Sequence, residues 1–159
     1  MSVEGNFTMK IFEEKVQNWM SQEVISVTPK TSIARATITM NEHFIRRLPV
    51  VSDGGKLVGI VTKGDLREAQ PSDATSLTIW ELNYLLADLT VDKIMTRDVL
   101  TIDPTAPLID AAEIMLNEKI SGLPVVDEHG HLIGVISESD IFRMVIQHGL
   151  EERVRQSQA

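Results

Sequence analysis

Cysteine is absent from the 159 residues. That excludes disulfides, thiolate metal sites and cysteine nucleophiles, and it suits a reducing compartment. No stretch approaches the roughly 18 to 20 apolar residues that span a bilayer. Met1 to Lys10 lacks the basic segment and long apolar core of a signal peptide. Cations are in the minority, 15 Lys and Arg against 23 Asp and Glu, for a net charge of -8. That balance opposes nucleic-acid backbones and anionic membranes. Also missing are a nucleophile with an orienting base, a Walker-type phosphate loop and a metal-ligand cluster. The four histidines, His43, His129, His131 and His148, share no helix face, and His129 and His131 flank a turn glycine where water solvates them. The expectation is a soluble, cytoplasmic, non-enzymatic protein with no metal and no catalytic cofactor. An apolar fraction of 43% argues against wholesale disorder. The length suits one compact domain, or two small ones sharing a core.

What the chain does contain is itself, twice. Shifted by 75 residues, Val16 to Gln70 overlies Val91 to Val145 without a gap. Met20 falls on Met95, Pro29 on Pro104, Met40 on Met115, Gly59 on Gly134 and Asp65 on Asp140. Leu48-Pro49-Val50-Val51 recurs as Leu123-Pro124-Val125-Val126. Prolines and glycines in register mean that backbone geometry repeats, and a duplicated unit suggests two half-sites about a pseudo-twofold axis.

Each copy reads as β-α-β-β-α. A β-prone run, Val24 to Val27 or Val99 to Ile102, ends at Pro29 or Pro104. A helix with apolar positions near helical period follows, capped by Thr31 or Ser32 in copy 1 and by Thr105, ahead of Pro107, in copy 2. Two strands come next, Leu48–Val51 with Leu57–Thr62 and Leu123–Val126 with Leu132–Ser137, joined by turns in which Gly55 and Gly130 supply a positive φ. A last helix starts near Asp65 or Asp140. The three-stranded sheet of one copy is too small to hide both faces, so the expected architecture is α/β (α+β), two repeats packed sheet to sheet as one module. The segments are 1–15, an N-terminal helical extension; 16–70, repeat 1; 71–90, a loop and helix; 91–146, repeat 2; and 147–159, a helix end and tail. Pro71 to Ser76 reads as loop, and Thr78 to Glu81 has capping-box spacing at the head of a helix to about Leu86. Its Ile79, Leu82, Leu85 and Leu86 form an apolar face, with Trp80 and Tyr84 beside it; that face packs on the helix's own core or docks a second subunit. The flanks, Thr8 to Met20 and Ile141 to Gln156, read as amphipathic helices.

Charge separates the copies. Residues 16–70 hold seven cations against five acids, net +2, and residues 91–145 four against ten, net -6. Gly59 to Asp65 recurs as Gly134 to Asp140: a glycine, two apolar residues, a hydroxyl, two variable residues, an aspartate. A hydroxyl and a carboxylate at a strand-to-helix turn sit by a helix N-terminus, which offers free N–H groups and favours anions. Two readings stay open. Thr62 and Asp65, like Ser137 and Asp140, cap their helices, or the carboxylate takes ribose hydroxyls while the hydroxyl and N–H groups hold phosphate.

The doubled set of a strand ending in Thr-Pro or Asp-Pro, then Leu-Pro-Val-Val, then Gly-x-x-(Thr/Ser)-x-x-Asp resembles the CBS domain, named after cystathionine β-synthase, from 16 to 146. Two copies make a CBS pair, or Bateman module. The stretch from Leu66 to Leu86 is similar to that of the bacterial acetoin-utilisation CBS proteins, without room for the C-terminal ACT domain that many of them carry. The resemblance implies regulatory, energy-sensing binding of AMP, ADP or ATP in clefts between the repeats, in a disc-like homodimer that modulates an unidentified partner protein. In repeat 1 it implies backbone around Ser26, Val27 and Thr28 against adenine, Leu48 and Pro49 as apolar walls, Asp65 on ribose and Thr62 near ribose and phosphate. Arg46 and Arg47, with Lys63 close by, would hold phosphate, which suits an arginine fork; their plainer reading is a solvated helix-end pair. In repeat 2 the corresponding positions are Thr101, Ile102 and Asp103, Leu123 and Pro124, and Ser137 and Asp140. Ser121 and Gly122 replace the arginines, Glu138 replaces Lys63 and Asp103 replaces Thr28, so phosphate there meets repulsion. The competing functions are a ligand-free dimerisation or scaffold module, and an S-adenosylmethionine or NAD sensor better suited to cation-poor repeat 2.

Overall fold

The computed structural model describes residues 10–70 and 78–158; the loop expected over 71–76 and the start of the helix expected from Thr8 lie outside the described residues. In chain order the elements are α1 (Val16–Trp19), α2 (Ile33–Glu42), β1 (Arg47–Val51), β2 (Leu57–Thr62), α3 (Lys63–Glu68), α4 (Ile79–Asp88), a 3-10 turn (Val91–Lys93), α5 (Leu108–Glu118), β3 (Gly122–Val126), β4 (Leu132–Ser137) and α6 (Glu138–Ser157). They form two packing units. Ile25–Val99 make one, and the chain up to Val24 together with that from Leu100 onward makes the other.

Each unit is mixed helix and strand around one antiparallel hairpin, β1 with β2 and β3 with β4. The registers repeat: Leu48 faces Val61 as Leu123 faces Ile136, and both hairpins shift after the second valine-bearing pair, at Val50/Val51 and Val125/Val126. The turn glycines hold the expected left-handed backbone, Gly55 at φ 80 and Gly130 at φ 81. The expected third strand is reduced to a single parallel bridge, Val27 to Val50 and Ile102 to Val125. Val27 N–H donates to the Pro49 carbonyl (3.0 Å) and its own carbonyl accepts from Val51 (2.9 Å). The next residue on that side is Pro29 or Pro104, which has no N–H to continue the ladder.

The other edge of each hairpin is closed by the opening segment of the other sequence copy. Ile60 and Thr96 exchange both N–H···O bonds at 2.9 Å, and Ser21 and Val135 do the same at 2.9 and 3.0 Å. Glycine makes this approach possible. A Cβ at Gly134 would stand 2.6 Å from Met20 Sδ and 3.0 Å from the Ser21 carbonyl; at Gly59, 2.5 Å from Met95 Sδ and 3.0 Å from the Thr96 carbonyl. Packing therefore divides the chain at Val24/Ile25 and Val99/Leu100, offset from the sequence repeat. The cores follow the packing units. Val91 and Met95 join Ile33, Met40, Leu48, Val61 and Leu66, whereas Val16 joins Leu108, Met115, Leu123, Ile136 and Met144.

Local chemistry sets the helix ends. Ser32 caps α2, its Oγ accepting from Arg35 N–H at 3.1 Å. Thr105 does not cap α5; its hydroxyl and N–H both turn to Asp103 Oδ1 (2.5 and 2.7 Å), and Pro107 takes the N-cap position without a side-chain bond. Phe44 and Lys119 end the two helices in the left-handed region, φ 54 and 55. Thr78 and Glu81 form the expected capping box of α4. Ile79, Trp80, Tyr84 and Leu85 are nevertheless exposed, so these residues do not pack on a core of their own. The N-terminal flank is not one helix. Residues 10–13 are helical, and the chain then breaks because the Glu14 carbonyl accepts from Leu108 N–H (2.7 Å) while Val16 N–H donates to the Ala106 carbonyl (3.0 Å).

A buried clamp ties this flank to α6. Glu14 Oε1 lies 2.7 Å from Nε2 of buried His148, and Glu14 Oε2 accepts from Trp19 Nε1 (2.8 Å) and Asn18 Nδ2 (3.3 Å). Burial opposes the Glu14 charge, but the hydrogen bonds from Trp19, His148 and Asn18 outweigh it and hold the carboxyl below its ordinary 4.5. A depressed carboxylate pKa stabilises above the unfolded value, and that contribution is lost as pH falls through the folded one. Glu14→Gln is expected to melt below the parent at neutral pH and to converge with it on acidification below 4.5, measured as Tm against pH. The exchange of segments has its own test. Val16→Ala is expected to remove about 2 kcal/mol of hydrogen-exchange protection from β3 and β4 while β1 and β2 keep theirs; loss at β1 and β2 instead would assign Val16 to the wrong unit.

Candidate functional site

At the end of β2 the chain turns directly into α3. Asp65 Oδ2 accepts from Thr62 N–H (2.7 Å) and Thr62 Oγ1 (2.8 Å), and Asp65 N–H donates to Thr62 Oγ1 (3.2 Å). Lys63 N–H, the first of the helix, donates to the Arg46 carbonyl at 2.8 Å. The capping reading of Thr62 and Asp65 is thus realised, with Oδ2 carrying both bonds. Ser137 N–H and Oγ likewise donate to Asp140 Oδ2, each at 2.8 Å, and Glu138 N–H donates to the Ser121 carbonyl (3.2 Å). The difference lies in the second oxygen. Asp140 is buried and its Oδ1 accepts from Arg143 Nη1 at 2.8 Å. The repeat 1 residue matching Arg143 is Glu68, which cannot donate. Among the described residues, the carboxylate is held from both sides in repeat 2 and not in repeat 1.

Cations gather beside the repeat 1 box. A groove of about 690 Å³ runs between α2 and α3, lined by Arg46, Lys63, Gly64, Arg67 and Gln70 with Thr37, Met40, Asn41, Phe44, Ile45 and Leu66. Among the described lining residues three are cationic and none is acidic; Lys63 Nζ donates to Asn41 Oδ1 at 3.3 Å. Sequence reasoning missed Arg67 and Gln70. The signal for Arg67 was present, since positions 63 and 67 share one side of α3; Gln70 lies just past the end of that helix. Arg47 stands apart from this lining, opposite Thr62 in the hairpin.

The remaining candidates are placed as follows. Ser26 is half-buried; Val27 is the bridge residue; Thr28 N–H donates to Thr31 Oγ1 (3.1 Å). In repeat 2, Thr101 is half-buried, Ile102 makes the bridge, and Asp103 is exposed, with hydrogen bonds from Thr105 keeping its carboxyl below the ordinary value. Leu48, Pro49, Gly122, Leu123 and Pro124 are buried, Leu48 and Leu123 within the cores of their units. His129 is exposed, but His131 is half-buried, with Nδ1 3.2 Å from Asp127 Oδ2, so it is not simply solvated. Among the described residues no group of His, Asp and Glu is placed to hold a metal ion, and no helix is long and apolar enough to cross a membrane.

A duplicated hairpin-and-helix unit with a hydroxyl–carboxylate box at each strand-to-helix turn defines a tandem-repeat module. The CBS domain model matches residues 16–72 and 91–147; the chain belongs to the CBS domain family, as a tandem pair. Among solved structures it is similar to CBSX2 of Arabidopsis thaliana in complex with AMP, at 31% identity and TM-score 0.71 over 84% of this chain and 96% of that one. It is likewise similar to a CBS domain pair in complex with 5′-methylthioadenosine and S-adenosyl-L-methionine, at 31% identity and TM-score 0.67 over 83% and 95%. An acetoin-utilisation-type protein of Vibrio cholerae matches at 30% identity and TM-score 0.73 over 89% and 96%. The chain spans about a quarter of the length of the first curated relatives it matches, such as a homoserine O-acetyltransferase of Methanococcoides burtonii, 38% identical over 130 residues, 82% of this chain and 24% of that protein. That enzyme's name belongs to the longer protein.

If Asp65 is chiefly a cap in the free protein, Asp65→Ala is expected to cost about 1 kcal/mol. Asp140→Ala is expected to cost more, because a buried carboxylate with three donors is lost. Urea unfolding followed by circular dichroism measures both.

Proposed function

We propose that this CBS pair is a regulatory sensor of a phosphorylated adenosine, AMP, ADP or ATP, with repeat 1 as its phosphate-bearing site. The observation that carries the reading is the cationic lining of Arg46, Lys63 and Arg67, with no acid among the described lining residues, beside the Thr62–Asp65 box, in a chain of net charge -8. A guanidinium and an ammonium next to a helix N-terminus favour a phosphate, and an aspartate with one oxygen outside the capping box can accept from ribose hydroxyls. The AMP complex of a relative at 31% identity supports the ligand class. The sensor acts in the cytoplasm as a homodimer and modulates a partner protein. For it to be a switch, the nucleotide must bind one arrangement better than another.

A second reading applies to repeat 2. There Glu138 and Asp103 stand in place of Lys63 and Thr28, and Ser121 in place of Arg46, while Arg143 is engaged by Asp140; that acidic balance suits a cationic adenosyl ligand such as S-adenosylmethionine, and the second structural relative was solved with it.

Thermal shifts with AMP, ADP, ATP, adenosine, S-adenosylmethionine and NAD test both readings. Ligand at about a hundred times its Kd stabilises by roughly 2.7 kcal/mol, or about 2–4 °C per kcal/mol for a chain of this size. One phosphorylated adenosine is expected to exceed adenosine, and its shift to vanish in Arg46→Ala and Asp65→Ala. Equal shifts for adenosine and its phosphates would remove the arginine from the site. No shift with any ligand would point to a ligand-free scaffold.

A further inference from the structure

The two capping boxes are alike on one carboxylate oxygen and unlike on the other. Asp65 Oδ2 accepts from Thr62 N–H and Oγ1, and Asp140 Oδ2 from Ser137 N–H and Oγ, all at 2.7 to 2.8 Å. A carboxylate oxygen has about two acceptor positions, so Oδ2 is full in both boxes. Any further donor must go to Oδ1. In repeat 2 that oxygen already accepts from Arg143 Nη1 at 2.8 Å, three residues along α6. In repeat 1 the matching residue is Glu68, which has no side-chain donor when ionised. Arg67, one position earlier, lines the groove instead. Exposure differs in the same sense: Asp140 is 6% exposed, whereas Asp65 is half-buried.

We infer, on the reading above that both aspartates accept from ribose, that Arg143 is a latch on the repeat 2 carboxylate. Adjacent ribose hydroxyls need two acceptor positions, and with Arg143 in place Asp140 Oδ1 offers one. The guanidinium bond is charge-assisted, and a neutral hydroxyl does not match it as a donor. An adenosyl ligand therefore enters repeat 2 only by displacing Arg143. The pair is built so that the arginine is the member that moves. Its side chain is 63% exposed against 9% for Asp140, so the guanidinium has water to turn to, while Asp140 stays fixed by Ser137. The latch orders the two sites whichever adenosyl compound serves: repeat 1, with glutamate at 68, fills first, and repeat 2 second. The acids at 103 and 138 favour the positive charge of S-adenosylmethionine, but its ribose still meets the latch.

Isothermal titration calorimetry of the full chain tests the latch, with AMP and with adenosine, which reads the ribose contact free of phosphate charge. The parent is expected to bind AMP at one site per chain. Arg143→Ala is expected to gain a second adenosine site, at least about tenfold tighter than any second site of the parent. That gain is expected to be absent with 2′-deoxyadenosine, which lacks one of the two hydroxyls. The reciprocal change, Glu68→Arg, copies the latch into repeat 1 and is expected to raise the adenosine Kd there by at least about tenfold. It reads the same contact even if Arg143→Ala does not fold. Two equal AMP sites in the parent, no second adenosine site in a folded Arg143→Ala, the same gain with 2′-deoxyadenosine, or unchanged or tighter adenosine binding in Glu68→Arg would each overturn the latch and leave the sensor reading standing. No adenylate binding by the parent or either variant overturns the sensor reading, and the latch with it.

Discussion

The structure depends on two places where no side chain stands. Gly59 and Gly134 let a neighbouring segment lie against the hairpin at a distance that a methyl group would forbid. Through that contact Thr96 bonds to Ile60 and Ser21 to Val135, so each two-stranded sheet is closed on both edges, by an antiparallel pair on one side and a parallel bridge on the other. These bridges cover part of each edge with which another chain could pair. They also fix the end of β2 and β4, and with it the turn at which Thr62 and Ser137 start their helices. The chain's opening residues are thereby committed to the unit built from its second half, a commitment that the Glu14–His148 clamp reinforces.

On this frame duplication has kept the backbone and let the side chains diverge. The left-handed residues, the shifts in the hairpins, the turn glycines and the hydroxyl–carboxylate boxes all recur at one offset. The carboxylates have nonetheless come to differ. Asp65 spends one oxygen on its cap beside three cations, whereas Asp140 is enclosed with Arg143 and flanked by Glu138 and Ser121. Two turns of one geometry have thus come to carry unlike electrostatics.

Much of this was legible in the residues. Pairs such as Gly59 with Gly134 and Pro49 with Pro124 report backbone constraints, and backbone constraints survive in a single sequence. Hairpins, turn glycines and the start of α4 followed from them. The missing third strand was misread because Val24 to Val27 is β-prone, while one proline decides whether its ladder continues. Thr105 was misread as a cap because the helix starts later, at Leu108 with Pro107 at its N-cap, and the Thr105 hydroxyl donates to Asp103 instead. The exchange of opening segments had no local signal at all, since a hydrophobic residue such as Val16 fits either core equally well. At the site, the arginine and lysine before and after the hairpin were visible, but Arg67 needed the helix that carries it toward them.

The measurement that bears most directly on the central claim is a crystal structure of the protein with AMP. Nucleotide is expected at repeat 1, its ribose on Asp65 and its phosphate on Arg46 and Lys63, with the Ser137–Asp140 turn still closed by Arg143. Nucleotide at repeat 2 alone, or a phosphate turned away from Arg46 and Lys63, would contradict it.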